Sequence, residues 1–407
     1  MKLVEKHIID KNSKIYQDVD NLCFLSKNLY NVALYTVRQY YFQTGNFLNY
    51  EKLQKQLQNN KQVDYYALPT KVSQQVLRTL CKNFKSFFNA LQKYKTNPAR
   101  FKSPPKLPKY KHKTKGRNIV PYPIDAISKR MLRSDQVKLS MSNIIISSKQ
   151  KNIKQVRIIP RYGVHKIEIV YEKPIETRNV DRKNVAGIDI GLDNLVAITS
   201  NQKGFLSVLI NGRPLKAINQ YFNKKRAKLM SFIENKGTSR RIEKLTHKRN
   251  CIVDNYLHQS SRYIIDLLVK HNIGTLIIGK NDGWKQSINI GKRNNQKFVS
   301  IPHAKFIGQL QYKAEMKGIE VHLTEESYTS KCSFLDNESI KKHDKYLGKR
   351  VKRGLFKSKN GTKINADING SANIIRKVIP NAFANGIEGI VVFPRRFTPF
   401  EVKKSQM

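Results

Sequence analysis

Acidic side chains are scarce in this chain, 29 Asp plus Glu against 77 Lys plus Arg, so those set among apolar residues are where chemistry is to be sought. Asp189 interrupts the apolar run Val185-Ala-Gly-Ile-Asp-Ile190 and is followed by Gly191-Leu-Asp-Asn194. A carboxylate in a buried strand carries a desolvation penalty unless it is paired or bound to a metal. Gly187 and Gly191 leave the backbone bare on either side, as the approach of a bulky ligand requires. A turn-associated, ligand-neutral Asp is the alternative at this position. Asp367 opens Asn365-Ala-Asp-Ile-Asn-Gly-Ser-Ala-Asn-Ile-Ile375, where an N-terminal cap or dipole partner is the alternative. The small residues Gly370, Ser371 and Ala372 would let this helix lie close against a sheet, which favours a site. Converging carboxylates suit phosphodiester hydrolysis by two divalent ions, one activating water and the other stabilising the leaving oxygen. Mg²⁺ takes oxygen ligands and keeps several waters, so neither His nor Cys is required.

The elements around these acids follow from apolar periodicity. Residues 1–10 alternate as a short strand. Asn21 to Phe42 carries Leu22, Leu25, Leu29, Val32, Ala33, Val37 and Tyr40 on one helical stripe. Tyr50 to Gln58 reads as a short polar helix. A second long amphipathic helix follows Pro69, with Val72, Val76, Leu77, Leu80, Phe84, Phe87, Phe88 and Leu91 on one side. Short β runs occupy 118–171, read as a β-barrel or sandwich joined by the N-terminal strand. The Asp189 strand is followed by two more in hairpin succession, Leu195 to Thr199 and Phe205 to Ile210. A helical hairpin over Leu215 to Lys270, turning at Asn235-Lys-Gly237, comes next. Then follow a buried parallel strand at Gly274 to Ile278, a helix at Pro302 to Lys317, a strand at Ile319 to Thr324 and a last helix at Asn365 to Lys377. This is an RNase H-like order with two insertions. The tail from Pro380 is weakly patterned.

A formal net charge of +48 opposes compaction by self-repulsion unless a polyanion neutralises it. The basic residues run throughout, which points to nucleic acid wrapped over much of the surface. Codon bias toward Lys and Asn would not explain so few acids. The segment 97–117 has no acid, four prolines and interleaved aromatics, which suits phosphate contact with stacking on exposed bases; a plain linker is the alternative. Contacts are expected from Arg100, Lys102, Lys109, Tyr110 and Lys111 there. More are expected from Lys225, Arg226, Arg241, Lys248 and Arg249 in the helical hairpin, and from Lys331, Arg350 and Arg353 in the irregular basic stretch 325–363. Cys23, Cys81, Cys251 and Cys332 are scattered with no pair at metal-ligand spacing, which fits a reducing cytosol. The N-terminus lacks an apolar signal core and no run approaches membrane-spanning length, so a cytoplasmic protein, nucleoid-associated when on DNA, is expected.

Taken together, the chain resembles the TnpB (OrfB) proteins of insertion sequences, relatives of the compact type V CRISPR nucleases. The resemblance rests on Leu29-Tyr-Asn31, Leu68-Pro-Thr-Lys-Val72, Pro108-Lys-Tyr-Lys111, Gly187-Ile-Asp-Ile-Gly191, Leu257-His258, Tyr328-Thr-Ser-Lys331 and Asp367-Ile-Asn-Gly-Ser-Ala-Asn-Ile374. It implies an α+β multi-domain protein. A β-barrel (wedge) domain would span 1–12 and 115–180, with a helical recognition domain, 13–114, inserted. An RNase H-like (RuvC) nuclease domain would span 181–379, carrying insertions at 215–270 and 325–363 and followed by a tail at 380–407. It also implies an RNA-guided, Mg²⁺-dependent DNA endonuclease using two ions. The implied partners are a guide RNA from the element's own transcript and double-stranded target DNA beside a short flanking motif. Asp189 and Asp367 would be the first and third metal ligands.

Two departures from the family pattern carry consequences. The family's four zinc-ribbon cysteines are reduced to Cys332, so no zinc is expected. Its Glu at the end of the strand at 274–278 is absent, since Gly279-Lys-Asn281 stands there. Glu325 and Glu326 follow the neighbouring strand, expected parallel and about 4.8 Å away, within reach across Gly279. Glu326 by preference, and Glu325 otherwise, is therefore expected as the relocated ligand; surface charges and lost catalysis are the alternative. That alternative describes a nuclease-inactive, RNA-guided DNA-binding repressor or transposition accessory protein. A strand-joining transposase is the weakest candidate, since no His-hydrophobe-His plus Tyr arrangement is present.

Overall fold

The computed structural model describes residues 1–176, 180–233, 237–281, 291, 295–296, 299–384 and 393–399, which fall into two compact units, Met1–Lys173 and Pro174–Met407. In the first, β1 (Lys2–Ile9) is followed by α1 (Tyr16–Thr44), α2 (Tyr50–Asn59), α3 (Val63–Tyr66) and α4 (Thr70–Thr96). The chain then returns as β2 (Val120–Pro123), α5 (Lys129–Leu132), β3 (Gln136–Lys138), β4 (Ile145–Ser147), β5 (Ile153–Arg161) and β6 (Val164–Glu172). β1 pairs antiparallel with β6 along its whole length, from Lys2↔Glu172 to Ile9↔His165.

The strands lie in a four-stranded sheet of order β1-β6-β5-β2 and a separate β3-β4 ribbon. Among the described residues, therefore, an open sheet stands where a barrel or sandwich was expected. Helices and sheet share one continuous core. Leu29, Ala33 and Val37 of α1 and Leu77, Leu80 and Phe84 of α4 pack in the same cluster as Tyr122, Val156, Ile167 and Ile169. Burying each Leu, Ile, Val or Phe side chain among them is worth about 1.5–3 kcal/mol, so the inserted helices and the sheet stabilise one another.

The second unit is built on a sheet of order β11-β10-β7-β8-β9-β15. Its meander is β7 (Asp181–Ile190), β8 (Asn194–Ser200) and β9 (Val208–Asn211). After α6 (Arg213–Met230) and α7 (Arg240–Lys270) come β10 (Ile273–Gly279), α8 (His303–Glu315) and β11 (Glu320–Thr324). The small strands β12 (Lys349–Lys352), β13 (Leu355–Lys357) and β14 (Lys363–Asn365) precede α9 (Ala366–Val378) and β15 (Arg395–Phe397). β10 runs parallel to β7, and β11 parallel to β10. The turn expected between α6 and α7 falls partly on 234–236, outside the described residues. The basic stretch expected to be irregular carries the β12-β13-β14 sheet; strands of three or four residues rich in Lys and Arg have no apolar alternation to betray them. The tail contributes β15, parallel to β9, with Phe397 stacked on Tyr263 at 3.6 Å between ring centroids.

Strand alternation divides the core. Ala186, Ile188 and Ile190 of β7 and Leu276 and Ile278 of β10 pack with Val253, Leu257, Ile264 and Leu268 of α7 and with Phe306 and Leu310 of α8. The intervening residues, Val185 and Ile277, meet Ile374 and Ile375 of α9 instead. With a period of two, Gly187, Asp189 and Gly279 belong to the α9 face. Gly187 has a specific reason to lack a side chain: a Cβ there would lie 2.4 Å from the Ser371 carbonyl oxygen and 2.6 Å from Ile375 Cγ1. That bare patch lets α9 settle onto β7.

Candidate active site and basic surface

Asp189 is the last residue but one of β7, on the face that α9 covers. A Cβ on Gly370 would stand 2.8 Å from Asp189 Oδ2, so the helix approaches this carboxylate along a backbone without a side chain. Asp367 lies one turn earlier on α9. The cap of that helix is Asn365, whose side chain accepts from the N–H groups of Asp367 and Ile368 at 3.0 and 3.3 Å. The Asp367 carboxylate is thereby released from capping. It accepts from Asn194 Nδ2 at 2.6 Å and pairs with Arg350 Nη2 at 3.6 Å.

Glu326 follows β11, and its carboxylate crosses to the end of β10. A Cβ on Gly279 would lie 2.5 Å from Glu326 Oε1 and 2.7 Å from Cγ. Asn281 fixes the residue twice: Glu326 N–H donates to Asn281 Oδ1 at 2.9 Å, and Asn281 Nδ2 donates to Glu326 Oε2 at 3.2 Å. Glu326 Oε1 is buried with no hydrogen-bond partner. Glu325 faces the other way, with an exposed carboxylate held by Lys377 at 2.8 Å.

The electrostatics follow from this convergence. Burial pushes the Asp189 carboxyl up to about 7; nearby Asp367 adds to the rise, and Arg350 and the Ile190 N–H oppose it. Burial likewise pushes Glu326 up to about 8, reinforced by Asp189 and Glu325 and opposed by Lys377. Glu325 is lowered, chiefly by its bond to Lys377. Three acids from distant parts of the sequence thus share one field. Among the described residues no group of three or more His, Cys, Asp or Glu side chains stands closely enough to hold a metal ion. Asp367 is engaged by Asn194 and Arg350.

A cavity of 580 Å³ opens beside Asp189 and Asp367, lined also by Asp193, Asn194, Arg213, Arg350, Arg353 and Arg396. Asp193 pairs with both Lys216 and Arg353, so β12 and the turn after it bring two arginines to the acidic floor. Sequence patterning missed Asp193 and Asn194, which read as turn residues, and Asn281. It missed Arg396 because the tail shows no periodicity.

Among the other basic residues, Arg100, Lys102, Lys109, Tyr110 and Lys111 are exposed on a segment tied to α1. Asn31 exchanges hydrogen bonds with the Lys111 backbone at 2.9 Å each, Lys27 donates to the Lys113 carbonyl at 2.6 Å, and Arg38 stacks over Tyr110 at 4.9 Å. These contacts tie the segment along α1. Lys225, Arg226, Arg241, Lys248 and Lys331 are exposed as well. Arg249 differs, because its guanidinium donates to Asn219 Oδ1 at 2.7 and 2.5 Å and to the Ser300 carbonyl at 2.6 Å. It clamps α7 inside the fold.

Comparison with known proteins covers the same elements. The OrfB_IS605 model, a probable transposase, matches residues 168–285, and the Cas12f1-like TNB domain matches 303–374. A CRISPR-associated endodeoxyribonuclease Cas12f2 from a Micrarchaeota archaeon is 27% identical over 228 residues, covering 53% of this chain and 40% of that protein, so the match spans less than half of its length. The TnpB-like protein ORF457 of Acidianus two-tailed virus is 24% identical over 422 residues, covering 88% of this chain and 82% of its own. The fold is shared with a chain of a cryo-EM structure of the Cas12f1-sgRNA-target DNA complex, at TM-score 0.53 and 17% identity over 89% of this chain and 82% of that one. No helix of the described residues is long and apolar enough to cross a membrane. The transposase match spans the Asp189 strand and the TNB match ends on the Asp367 helix, so over both site-bearing elements the chain is similar to TnpB-like and Cas12f proteins.

Proposed function

We propose that this chain is an RNA-guided, Mg²⁺-dependent DNA endonuclease of a transposable element, with Asp189, Glu326 and Asp367 as its ligand set. One observation carries the reading: Glu326 Oε1 is buried without a partner, in the space left by Gly279 and beside a second carboxyl that burial has also raised. Proteins rarely bury an unsatisfied carboxylate oxygen, and a hard cation is the ligand such an oxygen-only donor set fits. Bound divalent ions would supply a water ionised near neutral pH and charge neutralisation at the leaving oxygen.

The chain's own residues do the remaining work. Asn281 aims Glu326, Asn194 aims Asp367, and the bare backbones of Gly370 and Gly279 make room for Asp189 and Glu326 respectively. Arg350, Arg353, Arg213 and Arg396 around the cavity would draw in and orient a phosphodiester backbone. The excess of 48 positive charges supports nucleic acid as the partner class. In this reading the guide is RNA from the element's own transcript and the target is duplex DNA beside a short flanking motif. Residues 1–12 and 115–180 would serve as the wedge, 13–114 as the recognition helices and 181–379 as the nuclease.

A second reading, a nuclease-inactive RNA-guided binder, is favoured by Arg350 at the Asp367 carboxylate and by Gly279 at the position where the family has Glu. Cleavage of a guide-matched plasmid by the protein purified with its co-expressed RNA separates the two. The first reading expects cleavage that needs Mg²⁺ and disappears in Asp189→Ala. Tight matched binding with intact plasmid would establish the second, and cleavage surviving Asp189→Ala would refute the site.

A further inference from the structure

The stretch between β11 and α9 is where the family's zinc ribbon belongs, and its residues do not fit zinc. A structural zinc site needs four thiolate or imidazole ligands in a tetrahedron. Cys332 is the one cysteine in the stretch. It is fully buried, with Sγ 3.4 Å from the Ser339 carbonyl oxygen and 3.7 Å from that of Lys341. That geometry uses the thiol as an S–H donor, whereas zinc binds the thiolate. Burial raises its pKa.

We infer that a carboxylate clasp centred on Glu338 takes the place of the metal and holds this insertion over the acidic pocket. Glu338 is 5% exposed, yet neither carboxylate oxygen is left idle. Oε2 accepts from the Ser333 N–H at 2.6 Å and Oε1 from the Leu347 N–H at 2.9 Å, joining two loops 14 residues apart (347 − 333). Bonds from backbone N–H to carboxylate oxygens are the stronger kind, so one side chain ties loops together as a metal would.

The helix beneath completes the clasp. Asn369 accepts from the Phe334 N–H and donates to the Cys332 carbonyl, both at 2.9 Å. Asn373 donates to the carbonyls of Thr329 and Cys332 at 2.9 and 2.8 Å, and Arg376 donates to the Glu338 carbonyl at 3.2 Å. Phe334, Phe356 and Ile364 then close a small apolar core against Ala197 and Leu209. The Leu347 tether lies three residues before Arg350, so Glu338 is a positioning residue for the arginines that reach Asp367 and Asp193.

The inference stands apart from the nuclease reading, and its test does not involve cleavage of DNA. The full-length protein is assayed for zinc by elemental analysis. Limited trypsin digestion at the lysines and arginines of 341–363 is then followed with and without EDTA, for wild type, Glu338→Gln and Glu338→Ala. The expected results are zinc far below one atom per chain and a wild-type digestion rate that the chelator leaves unchanged. Cleavage within 341–363 should be at least about tenfold faster in Glu338→Gln, which keeps the shape but loses the charge and one acceptor. Stoichiometric zinc whose removal speeds cleavage would overturn the inference, as would wild-type cutting rates in both Glu338 variants.

Discussion

Glu326 Oε1 occupies the space that a side chain on Gly279 would fill, 2.5 Å from where its Cβ would stand. The end of one strand has become a socket for an acid that follows its neighbour. Gly279→Ala should therefore expel the Glu326 carboxylate while leaving the sheet in place, since β10 pairs through backbone on both sides. Overpacking of this kind costs about 1–3 kcal/mol. If the carboxylate is needed, Mg²⁺-dependent turnover should fall by at least about 100-fold, and a thermal melt together with cleavage kinetics separates the two effects.

The raised carboxyls give a pH dependence whose sign is fixed. Asp189 moves from 3.8 to about 7 and Glu326 from 4.5 to about 8, so between those values the folded chain holds protons that the unfolded chain has released. The stabilising protonated form is present below the unfolded values and is lost as pH rises through the folded ones. In a chelator the protein should lose stability from about pH 5 to pH 8 on account of these two groups, and Asp189→Asn should flatten that slope and exceed wild type at pH 8. Denaturant melts at several pH values measure it; an unchanged slope in Asp189→Asn would count against the shifts.

Basic residues should divide by what holds them. Lys102, Lys109 and Lys111 are exposed, so each Ala substitution should weaken nucleic-acid binding across sequences and reduce the salt slope by about 1, with the melting temperature unchanged. Arg249 is engaged by Asn219 and Ser300, so Arg249→Ala should lower stability first. Binding isotherms at several salt concentrations beside thermal melts test the division.

How much of this was legible in the sequence depends on the kind of signal. Long helices and the central strands announced themselves through periodicity, because Leu29, Val37, Leu80 and Phe84 had to reach one core. Asp189 and Asp367 stood out because so few acids break so basic a chain. The inward turn of Glu326 was readable from alternation once β11 was placed beside β10. Asn281 and Asn194 were not, since their worth lies in partners 45 and 173 residues away. The three-residue strand β15 carries no pattern of its own and exists through pairing with β9. Whether a sheet closes into a barrel is likewise set by which edges meet, and local alternation says nothing about that.

Asn369 offers a test of the layer beneath the site. It is fully buried, and its loss would strand the Phe334 N–H and one bond to the Cys332 carbonyl. Asn369→Ala should cost about 1–3 kcal/mol for each group left unsatisfied, read as a shift in the urea midpoint, whereas a change within about 0.5 kcal/mol would mean the loop is held otherwise.

The relocated ligand is tested most directly by setting Glu326→Gln beside Glu325→Gln in Mg²⁺-dependent cleavage of a guide-matched plasmid. Glu326→Gln should lose activity by about a thousandfold or more, while Glu325→Gln, whose carboxylate is turned outward to Lys377, should stay within about threefold of wild type. Full activity in Glu326→Gln, or the loss falling on Glu325→Gln instead, would contradict it.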